Sequence, residues 1–151
     1  MKSKGFSPLL SKLSLTSKAA LEVSYSLHNK DEKPLDFIWM VEHNFTLLAG
    51  DAADRNYILS EGGLEDPRLA SAGVLPDIQT LGMRDEYFGF EVQLKYSPAV
   101  ELWRFPVETV SQSEEGFESV YQGSCIAGCW RVRLEPGQSR QLQAGLAIKK
   151  L

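Results

Sequence analysis

Apolar and polar residues change places at every second position through most of this 151-residue chain, and that spacing commits it to β-strands. Phe37, Trp39, Val41, His43, Phe45 and Leu47 form the longest series, with Asp36, Ile38, Met40, Glu42, Asn44 and Thr46 between them. Successive side chains of a strand leave opposite faces of the sheet, so the first set belongs to a core. The second set passes from apolar at Ile38 and Met40 to polar at Glu42, Asn44 and Thr46, which predicts a strand running from a covered region into a wetter one. Leu21, Val23, Tyr25 and Leu27 alternate with Glu22, Ser24 and Ser26, and Phe88, Phe90, Val92, Leu94 and Tyr96 with Gly89, Glu91, Gln93 and Lys95. Near the end, Ile126, Gly128, Trp130, Val132 and Leu134 oppose Arg131 and Arg133, and Leu142, Ala144, Leu146 and Ile148 oppose Gln141, Gln143 and Gly145. Phe6 to Leu15 is a weaker series that suits a lead-in or edge strand.

Turn chemistry separates these runs. Asn29 to Pro34 reads as a charged turn with His28 solvated at its edge, and Ser97-Pro98 reads as another turn. Glu135-Pro136-Gly137-Gln138 carries Pro at the second position and Gly at the third, the signature of a type II turn. Gly50 to Asp85 has little period but is too long for a structureless loop, so it is expected to hold short strands near Asn56 to Leu59 and Asp77 to Leu81, or else to be functional or mobile. No period near 3.6 persists for three turns. Eight or more strands without intervening helices predict an all-β fold, an antiparallel β-sandwich forming one domain over residues 1–151.

The composition removes several classes of function. A net charge of -4 with no basic cluster argues against nucleic acid, whose phosphates need a concentrated positive face. No apolar run approaches the roughly 18 residues that span a bilayer. Ser7, Pro8, Ser11 and Lys12 interrupt what would be the apolar stretch of a signal peptide, so a soluble, cytoplasmic protein is expected. Cys125 and Cys129 lack the further ligands of a structural zinc, and on a strand they would stand about 13 Å apart, too far for a disulfide. They read as two small buried thiols. No cofactor or metal is assigned, although Asp51, Asp54, Asp66 and Asp77 could offer oxygens without forming any recognised calcium loop.

The densest collection of gripping groups runs from Trp103 to Gly123, strand, turn and strand again. Aromatic rings bind the apolar face of a sugar while amides, Arg and Glu satisfy its hydroxyls. Trp103, Arg104, Glu108, Gln112, Glu114, Tyr121 and Gln122 are therefore candidates for carbohydrate binding or, equally, for a polar domain interface.

The sequence Trp-Arg-Phe-Pro-Val-Glu-Thr-Val-Ser-Gln-Ser-Glu at 103–114, with Tyr-Gln-Gly at 121–123, resembles the C-terminal domain of α-amylases and 4-α-glucanotransferases of glycoside hydrolase family 57. The resemblance extends to Val41 to Gly50 and to Trp130 to Ile148. It implies a β-sandwich similar to galactose mutarotase, and a parent enzyme whose catalytic Glu and Asp lie in a separate N-terminal barrel. None of those catalytic residues can be carried onto this chain. The implied role is non-catalytic: to support the barrel and to bind α-1,4-glucan or maltooligosaccharide. Two rivals stand beside it, a free-standing epimerase or mutarotase using His43 with a carboxylate from Glu108 to Glu118, and a purely structural domain.

Overall fold

The computed structural model describes residues 7–17, 19–47, 50–113 and 116–151, with side chains described from residue 19 onward except that of residue 113. Eight strands follow one another: β1 (Ser7–Ser17), β2 (Ala20–His28), β3 (Leu35–Phe45), β4 (Arg55–Leu59), β5 (Gly73–Asp85), β6 (Phe90–Ser113), β7 (Gly116–Leu134) and β8 (Ser139–Lys150). Every pairing is antiparallel. Among the described residues there is no helix, and so none long and apolar enough to cross a membrane.

The ladder runs β1-β2-β8-β6-β5-β4, with β7 pairing β6 and β3 pairing β7. Its two long strands each serve two layers. The first half of β6 pairs β8 from Phe90 to Ser97, and the second half pairs β7 from Glu101 onward. Likewise β5 meets β6 on both sides of a register break between Leu75 and Thr80. The result is a six-stranded layer facing a four-stranded one, the sandwich that the alternation predicts. Four chain crossings lie along one end: residues 29–34, 76–79, 97–101 and 135–138. The Ser97-Pro98 peptide is cis, and β6 continues through it. Pro98 therefore does not end a strand, as its sequence signature suggests, but marks where one strand leaves its layer for the other. In β5 the same task falls to a bulge at Asp77, held at φ 56°, a left-handed value that Asp tolerates better than most side chains.

Leu27, Leu81, Met83, Leu94, Leu102, Ile126, Trp130, Val132, Leu134 and Leu142 fill the space between the layers. Tyr96 stacks edge-on to Trp130 at 5.9 Å and lies over Gly128, where a Cβ would come within 2.6 Å of its ring. Gly128 is thus required by packing. Leu69, fully buried, enters from the 60–72 segment, and Ser124 donates to its carbonyl at 2.9 Å.

The edge reading holds at the backbone level for residues 7–15, since among the described residues β1 pairs only with β2; Phe6 lies outside the described residues. In β3 the inward series is partly covered by the opposite layer, and Tyr25 meets Trp39 at 5.5 Å. The covered patch expected around Ile38 and Met40 is absent here, for these side chains are 53% and 49% exposed. Phe88 lies in the turn before β6 rather than in its inward series, and it is exposed. His28 closes β2 and meets the Ser139 hydroxyl at 2.8 Å instead of standing free in water.

Candidate functional site

Strands β6 and β7 pair from Glu101–Cys129 to Ser113–Gly116, far beyond the body of the sandwich. Past Val107 and Tyr121 every described side chain of this ribbon is exposed. The register slips at Val107–Gly123 and Glu108–Tyr121, leaving Gln122 as the extra residue of a bulge. Glu114 lies outside the described residues.

Period two divides the remaining candidates. On the outward face of the four-stranded layer stand Trp103 and Gln122. Trp103 is 37% exposed, and its indole donates to the Glu101 carboxylate at 2.8 Å. The Gln122 amide donates to Thr109 Oγ1 at 3.1 Å. Arg104, Glu108, Gln112 and Tyr121 belong to the opposite face. Arg104 is 6% exposed, donates to the Ser71 hydroxyl, and holds its guanidinium 5.1 Å from the Tyr57 ring. Tyr121 is half-buried, with its hydroxyl 2.7 Å from Ser124 Oγ, and burial pushes its pKa upward. Tyr57 beneath is pushed up to about 12, burial again being the main cause. The structure therefore does not gather the seven candidates into one site: Arg104 and Tyr121 anchor the interior, while Trp103 and Gln122 face out. Arg104 follows Trp103 directly in sequence, and consecutive strand residues point apart.

What the outward face does gather is apolar. Trp103, Phe105 and Val107 project from β6, Val120 from β7, Ile38 and Met40 from β3 and Val74 from β5, all at least 37% exposed. Between them Cys125, Ala127 and Cys129 form a floor of small side chains, buried by their larger neighbours. Both thiols are free, and burial raises their pKa values. Farther along the ribbon, on its other face, Val110 and Phe117 are 69% and 78% exposed. The sequence signal for this surface was the run of apolar residues at both parities from Leu102 to Val107, which leaves one set without a core to enter.

His43 lies half-buried between the layers, stacked on Phe45 at 6.3 Å and edge-on to Tyr96 at 6.0 Å. Desolvation lowers its pKa, so the imidazole is held neutral in an enclosed position away from the ribbon carboxylates. Of the four aspartates that might offer oxygens to a cation, Asp51 and Asp66 flank Arg68 at 3.7 and 2.6 Å, and Asp54 pairs with Arg55 at 3.3 Å. The Arg68 guanidinium holds Asp66 down to about 2. Among the described residues no three His, Cys, Asp or Glu side chains gather as a metal site would require.

The family described as α-amylase/4-α-glucanotransferase, C-terminal, matches residues 4–143. Alpha-amylase 1 of Dictyoglomus thermophilum is 33% identical over 140 residues, which make up 90% of this chain but only 19% of that protein. The 4-α-glucanotransferase of Thermococcus litoralis superposes with a TM-score of 0.58 at 19% identity, over 92% of this chain and 18% of that one. An aldose 1-epimerase-like protein of Escherichia coli K12 superposes with a TM-score of 0.65 at 13% identity, over 92% of this chain and 59% of its own. These two structures speak to the fold, a sandwich of the type found in sugar epimerases. On the family match over most of its length, the chain belongs to the C-terminal domains of the α-amylase/4-α-glucanotransferase family.

Proposed function

We propose that this chain is the non-catalytic C-terminal domain of an enzyme acting on α-1,4-glucan, and that it docks the catalytic portion through the β6–β7 ribbon and the apolar face beside it. The exposed ribbon carries this reading. A two-stranded ribbon is at best marginally stable in water, and this one presents Val110, Phe117, Val120, Val107 and Phe105 to solvent. Burying one such side chain stabilises an association by about 1.5–3 kcal/mol, so the ribbon is suited to a surface that a partner covers. The matching region makes up 19% of the D. thermophilum relative, and the rest of such an enzyme is the partner we assign to the ribbon. An independent epimerase finds less support, because His43 is half-buried between the layers, packed on Phe45 and Tyr96, and the described ribbon carboxylates Glu108 and Glu118 stand exposed beyond the body of the sandwich.

The test uses the D. thermophilum amylase with its matching C-terminal region removed, supplied with this chain in trans or as a fusion. The isolated chain should neither hydrolyse nor transfer maltooligosaccharides, while its addition should raise the stability and activity of the truncated enzyme. Phe117→Asp with Val110→Asp should abolish the gain and leave the fold of this chain intact. Turnover by the isolated chain, or an undiminished gain with the charged ribbon, would refute the proposal.

A further inference from the structure

The outward face of the six-stranded layer carries a cleft of about 420 Å3, on the opposite side of the molecule from the apolar face. Its construction follows from the register. Glu22, Gly145, Lys95 and Thr80 form one row across β2, β8, β6 and β5, and Ser24, Gln143 and Ser97 form the next toward the crossings. Beyond Gly145 stand Ala20 and Ala147. The floor is thus small side chains and bare peptide on a central strand, with Glu22 as one wall, Lys95 as the other, and Gln79, Thr80, Ser97 and Gln143 closing the end.

Gly145 needs an explanation that the fold does not supply. A glycine inside a strand weakens it, and usually marks a tight turn or the close approach of another group. Gly145 is no turn residue, and its φ lies outside the left-handed region occupied by Gly62, Gly89, Gly116 and Gly137. A Cβ at this position would meet nothing nearer than 3.6 Å, ordinary van der Waals contact, in contrast to Gly128. Neither backbone nor packing asks for glycine here. An unimpeded floor does.

We propose that this trough is a saccharide site, with the ligand lying over Gly145 between Glu22 and Lys95. The lining selects the class. One carboxylate and one ammonium cancel in charge, two carboxamides and two hydroxyls supply donors and acceptors together, and a neutral polyhydroxylated ligand uses all of them. Among the described residues, the side chains of Glu22, Gln79, Lys95, Ser97 and Gln143 make no hydrogen bond to one another, so they are available to a ligand. Among the described residues no aromatic side chain covers the floor, the Tyr96 ring being buried against Trp130; recognition there is by hydrogen bonds around the edge of the sugar ring. The site stands on its own geometry, and it survives or fails independently of the docking role of the ribbon.

Calorimetry and amide-shift mapping of the isolated chain with maltotetraose, cellotetraose and glucose test the proposal. The expected result is saturable binding of at least one, with shifts centred on Gly145, Lys95 and Gln143. Gly145→Val, which adds a strand-favouring side chain whose Cβ meets only ordinary van der Waals contacts, should melt no lower than the parent and bind at least about tenfold more weakly, a loss of about 1.4 kcal/mol. Trp103→Ala should bind as the parent does. Absence of binding at tens of millimolar sugar, unchanged affinity in a folded Gly145→Val, or loss of binding in Trp103→Ala would each overturn the assignment.

Discussion

Replacing Asn29 by Ala should destabilise the domain by about 3 kcal/mol, far more than a residue in a charged turn would ordinarily warrant. The side chain is fully buried. Its amide donates to the carbonyls of Leu134 and Lys33, both at 2.9 Å, and its oxygen accepts from the Asp31 N–H at 2.9 Å. Its backbone exchanges two further bonds with the β7–β8 turn, to the Gln138 carbonyl and from the Gly137 N–H. One residue thus ties the β2–β3 crossing to the β7–β8 crossing. Three side-chain hydrogen bonds at about 0.5–1.5 kcal/mol each give the magnitude, and the acceptors left without a donor place it in the upper half of that range. Asn29→Asp keeps the shape and inverts the chemistry, setting a carboxylate against two carbonyl oxygens. Burial and those dipoles raise the folded pKa of the new acid above its unfolded value of about 3.9. The folded state then holds the proton more tightly than the unfolded one. The defect is therefore smallest below about pH 4 and grows as pH rises through the raised value. Urea unfolding followed by tryptophan fluorescence, with all variants measured from pH 4 to 8 relative to the parent, reads both effects. A cost below about 0.5 kcal/mol for Asn29→Ala, or an Asn29→Asp whose deficit shrinks as pH rises, would refute the reasoning.

The neighbouring pair Trp103 and Arg104 should respond in opposite ways. Arg104→Ala removes a buried guanidinium from Ser71 and Tyr57 and should cost about 2–3 kcal/mol in the same assay, whereas Trp103→Ala, on the outer face, should cost no more than about 1 kcal/mol. Asp66 should titrate near pH 2 in carboxyl-detected NMR, and move into the usual carboxylate range in Arg68→Gln. Because its folded pKa lies below the unfolded one, its contribution to stability is present above about pH 4 and is lost as pH falls through about 2. An ordinary midpoint in the parent chain would remove the ion pair from solution.

The alternation of side chains made most strands legible, since the core-filling residues of β2, β7 and β8 lie where period two puts them; residues 123–130 of β7 are nevertheless buried at both parities, because Cys125, Ala127 and Cys129 are small side chains covered by larger neighbours on the outer face. Gly137, at φ 75° in the turn where the Gln138 N–H meets the Glu135 carbonyl, matches its sequence signature directly. Three features escaped for physical reasons. Asn29 has the composition of a solvated turn, and only the arrival of Leu134, more than a hundred residues later, buries it. Ser97-Pro98 carries a turn signal, yet a folded-over sheet can use that same bend without ending its strand. Trp103 and Arg104 suggested one binding surface because they are adjacent, while the pleat sends one outward and the other into the core. Glycines posed a related problem: Gly128 and Gly145 both lie inside strands, and only coordinates show that the first is filled by Tyr96 while the second leaves ordinary van der Waals room for a Cβ.

The four chain crossings at one end give the molecule the mechanics of a stapled booklet. Its spine holds Asn29, Asp77, Pro98 and Gly137, while at the fore-edge the pages are held by the single segment that tucks Leu69 between them, and the ribbon extends as a tab. Hydrogen exchange should therefore run inward from the fore-edge, with amides around Ser124 and Phe45 opening before those around Val132 and Leu142. A neighbour gripping the tab would press the pages together along their weakest margin, and so would stabilise the whole core from a surface outside it.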